Sequence, residues 1–199
     1  MDDKLMRYKG QLTREQIMTA RNKALINATK LLEDAQILFD SGRYSRAYFL
    51  LCICNEELGK SIFVISSIVE FVEGNISWDT FWRTFRNHKD KRGVLEYMEN
   101  FMLSTEENFT PLNQIREMLP EREEFKMASL YCDMFQNDFF EPDDIFDELI
   151  TRRILDLTKK RLDFVKSIPI SNRSLAVVTD QNIKDSKKAL MDMMSVETV

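Results

Sequence analysis

Residues Tyr44 to Glu73 limit what this chain can fold into more than any other stretch. Tyr44, Ala47, Tyr48, Leu51, Cys54, Leu58, Ile62, Ile65 and Val69 recur at steps of three and four, the repeat of an α-helix. Phe49, Ile53, Val64 and Ile68 populate the opposite side. A helix that is apolar on every side must be covered on every side, so this one belongs in the middle of a domain. Three charges interrupt it, Glu56, Glu57 and Lys60, on the side shared with Ile53 and Val64. Buried charge is costly unless paired. Glu56 and Lys60 stand at i,i+4, so the spacing predicts an ion pair between them. Glu57 and Lys60 are expected to serve folding or assembly more than chemistry.

Glycine and proline are scarce, five and four among 199 residues, and β-branched alternation is rare, so the fold class is all-α. Thr13 reads as a helix cap with Gln16 as its capping-box partner. The stripe Ile17, Ala20, Ala24, Ala28, Leu31, Ala35 and Leu38 then follows, small enough in its first half for close approach to a neighbour. Ser41-Gly42 ends that helix just before the central one begins, so the two run antiparallel. Gly74-Asn75 stops the central helix, and Ser77 caps a third whose apolar face is Trp78, Phe81, Trp82 and Phe85. That aromatic stripe reads as core rather than as a base-stacking platform. Gly93 is expected to break or bend the path before Val94, Leu95, Tyr97, Met98 and Phe101. Thr110-Pro111 opens another segment, and Pro120 a helix through Phe125, Leu130 and Met134. A turn at Gln136-Asn137-Asp138 and one long helix from Pro142, ended by Pro169, complete the pattern, the latter with Phe146, Ile150, Ile154, Leu157, Phe164 and Ile168 near one face. Residues 1–169 make one domain; 170–199 form a tail that is partly helical, at Ala189 to Met194, or loosely packed.

The net charge of −5 argues against a generic nucleic-acid binder, so any RNA contact has to come from a local basic patch. Cys52 and Cys54 lie inside the central helix as small hydrophobes, and with Cys132 they make an odd count that fits a reducing compartment. Cys-x-Cys with one histidine in the chain reads as structural, not as zinc-binding. The amino terminus lacks the apolar core of a signal peptide. The run Ala47 to Cys54 is far short of the ~18 residues of a membrane span. A cytoplasmic protein with no membrane, DNA, metal or cofactor partner is expected.

No glycine-rich phosphate loop, di-iron motif or nucleophile elbow is present. What remains is a basic run, Arg83, Arg86, His88, Lys89, Lys91 and Arg92. It is either a solvated face or a phosphate-binding patch. Metal-free RNA cleavage needs a group of near-neutral pKa and a cation for the developing phosphorane charge, roles that His88 and Arg83 could fill. On a straight helix the two stand about 140° apart. They meet only if the helix bends or a second subunit supplies one. His88, Lys91 and Arg92, at i, i+3 and i+4, share a face. Arg83, His88 and Lys91 are the catalytic candidates. Glu56, Glu57, Lys60, Arg86, Lys89 and Arg92 form a polar cluster that is either binding or structural.

The run Glu56-Glu57-Leu58-Gly59-Lys60 in a long helix preceded by an alanine- and leucine-rich one resembles the HEPN superfamily. His88-Lys89-Asp90-Lys91, the later Lys126-Met127-Ala128-Ser129-Leu130-Tyr131-Cys132-Asp133, and Pro142 are similar to its AbiV group. The resemblance spans residues 12 to 168. It implies an antiparallel helical bundle, a homodimer, and a part in abortive infection, in which an infected bacterium arrests its own gene expression or translation and the phage fails to multiply. It further implies metal-independent RNA cleavage at a dimer cleft through Arg-x4–6-His, a spacing that Arg83 and His88 match. A phage protein as trigger and RNA or the translation machinery as target follow from the same resemblance. The acidic overall charge instead favours a non-catalytic module that binds a phage protein or the translation machinery; a structural interaction domain outside defence is the third reading.

The apolar back of the central helix, at Phe49, Ile53 and Val64, is more than a bundle of this length can cover, which points to a homodimer. Light scattering at micromolar concentration is expected to give twice the chain mass; a clean 23.5 kDa species would refute it.

Overall fold

The computed structural model describes residues 7–72, 74–87, 91, 93–96, 123–135 and 138–168. Helix α1 (Arg14–Asp40) starts where Thr13 and Gln16 cap each other: the Gln16 N–H donates to the Thr13 hydroxyl, and the Thr13 N–H donates to the Gln16 side chain at 2.8 Å. It ends at Ser41, and Gly42 takes φ +72°, a left-handed conformation that side-chain-bearing residues rarely adopt. Helix α2 (Tyr44–Val72) returns antiparallel to α1 along its whole length. Ala24, Ala28 and Ala35 are buried on α1, with Ala47 on α2, so the two backbones come close. The Cys54 thiol even donates to the Ala28 carbonyl across the interface, at 3.1 Å. At the far end of α1 the fully buried positions are Leu32 and Phe39, while Leu31 and Leu38, expected in that stripe, are half-buried beside them.

Gly74 again takes φ +72°, and α3 (Trp78–Arg86) begins at the Ser77 cap. Two strands follow later in the chain, β1 (Asp133–Phe135) and β2 (Asp138–Phe140), antiparallel with Met134 opposite Phe139. The single helix expected from Pro142 onward is two, α4 (Pro142–Ile145) and α5 (Glu148–Ser167). The break is local chemistry: the Asp147 carboxylate accepts from the Ile150 N–H and starts a new helix there.

Helix α5 runs parallel to α2. Thr151 Oγ1 donates to the Tyr44 carbonyl at 3.3 Å, and two turns on Asn55 Nδ2 donates to Thr158 Oγ1 at 2.9 Å, with Arg161 donating back to the Asn55 amide oxygen. At the other edge the buried Arg21 guanidinium reaches from α1 to the Val165 carbonyl in the last turn of α5. The most buried positions of α5 are Thr151, Leu155, Thr158, Leu162 and Val165; of the expected face Phe146 is buried, Ile154 and Phe164 pack half-buried against the core, and Ile150 is exposed. The threonines hide this face from an apolar count, because their hydroxyls are satisfied across the helix seam.

Two apolar clusters lie on α2. One joins Leu51, Cys54, Leu58 and Ile62 to α1, α5 and Leu95; the other joins Val64 and Ile68 to Ile17, Met18 and the α3 aromatics. Val64, expected on an uncovered back face, is therefore fully buried within one protomer, while Phe49 and Ile53 remain half-buried. The helix expected to run through Leu130 and Met134 stops at residue 128, and Met134 lies in β1. Gly93 is helical and buried rather than a break. The expectations at Tyr97–Phe101, Thr110-Pro111 and Pro120, and the tail from 170, lie outside the described residues. No helix among those described is long and apolar enough to cross a membrane.

Cysteine reactivity reads out this packing. Burial, reinforced by the Glu57 charge, pushes the Cys54 thiol up to about 12, whereas Cys132 is exposed. At pH 8 Cys54 is thiolate in about one molecule in ten thousand. Thiol alkylation of the folded protein is expected to modify Cys132 within minutes and Cys54 only on unfolding; equal rates by peptide mass analysis would contradict the α1–α2 packing.

Candidate functional site

The central charges of α2 are accommodated by a layer laid over them. Glu56 is 2% exposed, and its carboxylate accepts from Lys126 Nζ at 3.0 Å. Lys126, 5% exposed, lies in the helical segment 123–128 and also pairs with Glu123 one turn earlier, at 2.5 Å. The Ser129 hydroxyl donates to the Lys126 carbonyl and helps end that segment. Lys60 bonds Glu57, three residues before it, and is not Glu56's partner. The predicted Glu56–Lys60 pair is thus corrected. Its spacing permits the contact, but Glu56 points beneath the 123–128 segment while Glu57 and Lys60 sit at the rim, 14% and 17% exposed.

Lys91 joins this group from the next helical segment and is 3% exposed. Burial pushes its pKa below the ordinary lysine value, the nearby Lys60 charge adds to that, and the Glu56 and Glu57 carboxylates oppose it without cancelling it. Lys126 goes the other way. Burial works against its charge, but its bonds to Glu123 and Glu56 outweigh burial and raise its pKa. Two lysines in one cluster are therefore driven apart, one toward losing its proton and one toward keeping it.

Helix α3 stands beside the cluster. The Lys60 ammonium lies over the Phe85 ring, 5.3 Å from its centroid, while Phe81 is buried against Phe63 of α2. Trp78, Trp82 and Phe85 pack on the same apolar cluster, as a core stripe should. Arg83 is exposed in the last turn of α3. Arg86 is committed: its guanidinium stacks on Trp82 at 4.8 Å and donates to the Tyr8 carbonyl.

The helix ends at Arg86, and Asn87 is extended at φ −81°, ψ 120°. The 140° separation of a straight helix thus no longer applies between Arg83 and His88, because the chain leaves the helix between them. His88, Lys89 and Arg92 lie outside the described residues. Among the sequence candidates, the structure brings Glu56, Glu57, Lys60 and Lys91 together and sets Arg83 and Arg86 on the adjoining helix. Lys126 and Glu123 were missed as site residues. The signals for Lys126 were its place in the family motif and its flanking by Phe125, Met127, Ala128 and Leu130, where an apolar-flanked charge needs a buried partner. Among the described residues no three His, Cys, Asp or Glu side chains converge to hold a metal ion.

The two pairs predict unequal costs. Lys126→Met takes an ion-pair partner from the buried Glu56 and is expected to lower stability by about 3–5 kcal/mol. Lys60→Met, at the partly exposed pair, is expected to cost less than half of that. Lys126 has a raised folded pKa, so its contribution is full below the ordinary 10.5 and fades only as pH rises through the higher folded value. Denaturant melts should show a constant wild-type advantage from pH 6 to 9 that closes in strong alkali. Equal losses for the two variants would refute the assignment of Glu56 to Lys126.

No curated protein and no solved structure matches the chain. Residues 16–163 match the HEPN family described as AbiV, a span that takes in nearly all of α1, α2 with its charged run, α3, α4 and most of α5. With that match over most of its length, the chain belongs to the AbiV family of HEPN proteins.

Proposed function

We propose that the protein is an abortive-infection effector that arrests gene expression or translation in phage-infected bacteria by metal-independent RNA cleavage at a homodimer cleft. The observation that carries the reading is Arg83: an exposed guanidinium in the last turn of α3, the helix whose Phe85 ring receives the Lys60 ammonium of the charged cluster, and five residues before His88 in the sequence. In this reading the 2′-hydroxyl attacks the adjacent phosphorus and the 5′-oxygen leaves. His88 moves the proton, and Arg83 holds the non-bridging oxygens as their charge grows. Lys91, a catalytic candidate by sequence and 3% exposed in this chain, acts in this reading through its neighbours. Its part is to set the potential beneath the site through Lys60, Glu56 and Glu57. A second copy completes the cleft, with Phe49 and Ile53 of α2 offering half-buried apolar surface for the contact.

The mutual neutralisation of Glu57 with Lys60, and of Glu56 and Glu123 with Lys126, favours a second reading. Charges that satisfy one another are what a scaffold needs, and a non-catalytic module that binds a phage protein or the translation machinery would use the same cluster only to stay folded.

The two readings separate in one assay. Purified protein with a chelator and a structured RNA is expected to cut it, with His88→Ala slower by about 10²–10⁴-fold and Arg83→Ala by about 10²–10³-fold. The double variant should lose little more than His88→Ala alone, because the two act as a unit. Phage plaque counts should follow the same order. Full protection by the double variant, with an unchanged melt, would exclude cleavage and leave the binding module.

A further inference from the structure

The segment before α1 does not trail into solvent; it lies along α3. The Trp82 indole N–H donates to the Gly10 carbonyl at 2.9 Å, and the Arg86 guanidinium donates to the Tyr8 carbonyl. The Tyr8 ring meets Trp82 edge-on, with centroids 5.8 Å apart and planes at 84°. The Tyr8 hydroxyl donates to the Gln11 carbonyl at 2.8 Å and closes the arm on itself. A Cβ at Gly10 would stand 2.5 Å from the Tyr8 hydroxyl oxygen, so any larger residue there would push the exposed Tyr8 ring aside. Leu12 then anchors the arm in the apolar cluster below. Yet the contacts themselves are exposed, and Tyr8 is 55% accessible. The arm is held by a few bonds open to water, not sealed by burial.

What the arm offers α3 is an aromatic ring and two backbone acceptor oxygens. A single-stranded nucleic acid offers a base and phosphate oxygens in their place. The phosphate has the advantage of charge, which makes a stronger bond to a guanidinium than a neutral carbonyl does. Among the described residues Arg86 contacts a carbonyl and a ring but no carboxylate. Arg83 stands three residues earlier, so the two cations neighbour each other on the helix surface. Within α3 the acid is Asp79, a full turn before Arg83.

We infer that the Trp82–Arg86 face of α3 is a seat for single-stranded RNA, and that the Tyr8–Gln11 arm occupies it and must be displaced for RNA to bind. The inference rests on the RNA-directed reading above but concerns binding, not cleavage. Occupation by the arm lowers apparent affinity in proportion to how rarely the seat is open. Loosening the arm while leaving Arg86 in place should therefore tighten binding.

The test is fluorescence anisotropy of a labelled single-stranded RNA 12-mer with the full chain and three variants, each checked by a thermal melt. Tyr8→Ala removes the ring contact and the Gln11 bond from an exposed position and is expected to bind about three- to tenfold tighter than wild type. Arg86→Gln removes the seat's own cation and is expected to bind more weakly than wild type. Tyr8→Ala combined with Arg86→Gln should match Arg86→Gln alone, because a freed seat without its guanidinium gains nothing. Unchanged or weaker binding by Tyr8→Ala overturns the inference, even where the wild type cuts RNA and the proposed activity stands. RNA binding in none of the folded proteins overturns it as well. A tighter Tyr8→Ala in a protein that cuts nothing supports the arm's role while removing the nuclease.

Discussion

Burial of α2 is the constraint on which the remainder of the structure depends. A helix of 29 residues with apolar side chains in every direction is insoluble until other elements surround it. Each fully buried Leu, Ile or Val contributes about 1.5–3 kcal/mol, and Leu51, Leu58, Ile62, Val64 and Ile68 are all at or near full burial. Helix α1 covers one side closely because alanines line the contact, α5 covers the next, and α3 closes the end where the aromatics gather. The polar groups that such wrapping traps are handled one at a time. Asn55 is satisfied by Leu51, Thr158 and Arg161, and Cys54 by Ala28.

The charges on α2 turn that wrapping into something that can carry function. Glu56 under Lys126 ties a distant part of the chain to the central helix by electrostatics in a poorly solvated place, while Glu57 and Lys60 pair within the helix at its rim. Lys91 completes the group, with Lys60 and burial acting against its charge. Packing and electrostatics are not separable here. The same desolvation that makes the Glu56 pair strong makes the Lys91 ammonium reluctant. Helix α3 ends next to this cluster, and its end, not its face, presents the exposed Arg83. The α3 face is divided between core packing through Phe81 and the N-terminal arm through Trp82 and Arg86.

Much of this was legible in the residues, and for a physical reason. Caps, left-handed glycines and helical periodicity are local, so Thr13 with Gln16, Gly42, Ser77 and Gly74 were readable without knowing what lies across the fold. Membership of the AbiV family was legible from an ordered series of short motifs. The sequence by itself determined the α1–α2 hairpin, the central place of α2, the aromatic face of α3, and which charges would have to find partners.

Tertiary structure decided the partners. Glu56 could have met Lys60 at i,i+4, but the 123–128 segment lies over it and supplies Lys126 from seventy residues away. Helical spacing lists the neighbours within one helix and says nothing of a side chain delivered by another. The centre of the buried face of α5 was missed for the same reason: Thr151 and Thr158 look polar until Tyr44 and Asn55 stand opposite them. The fate of Arg86 was likewise invisible, since a basic run along a chain does not show which guanidinium a remote carbonyl will claim. Local geometry is written in neighbouring residues, whereas the pairing of buried charge is settled only when distant segments compete for the same desolvated space.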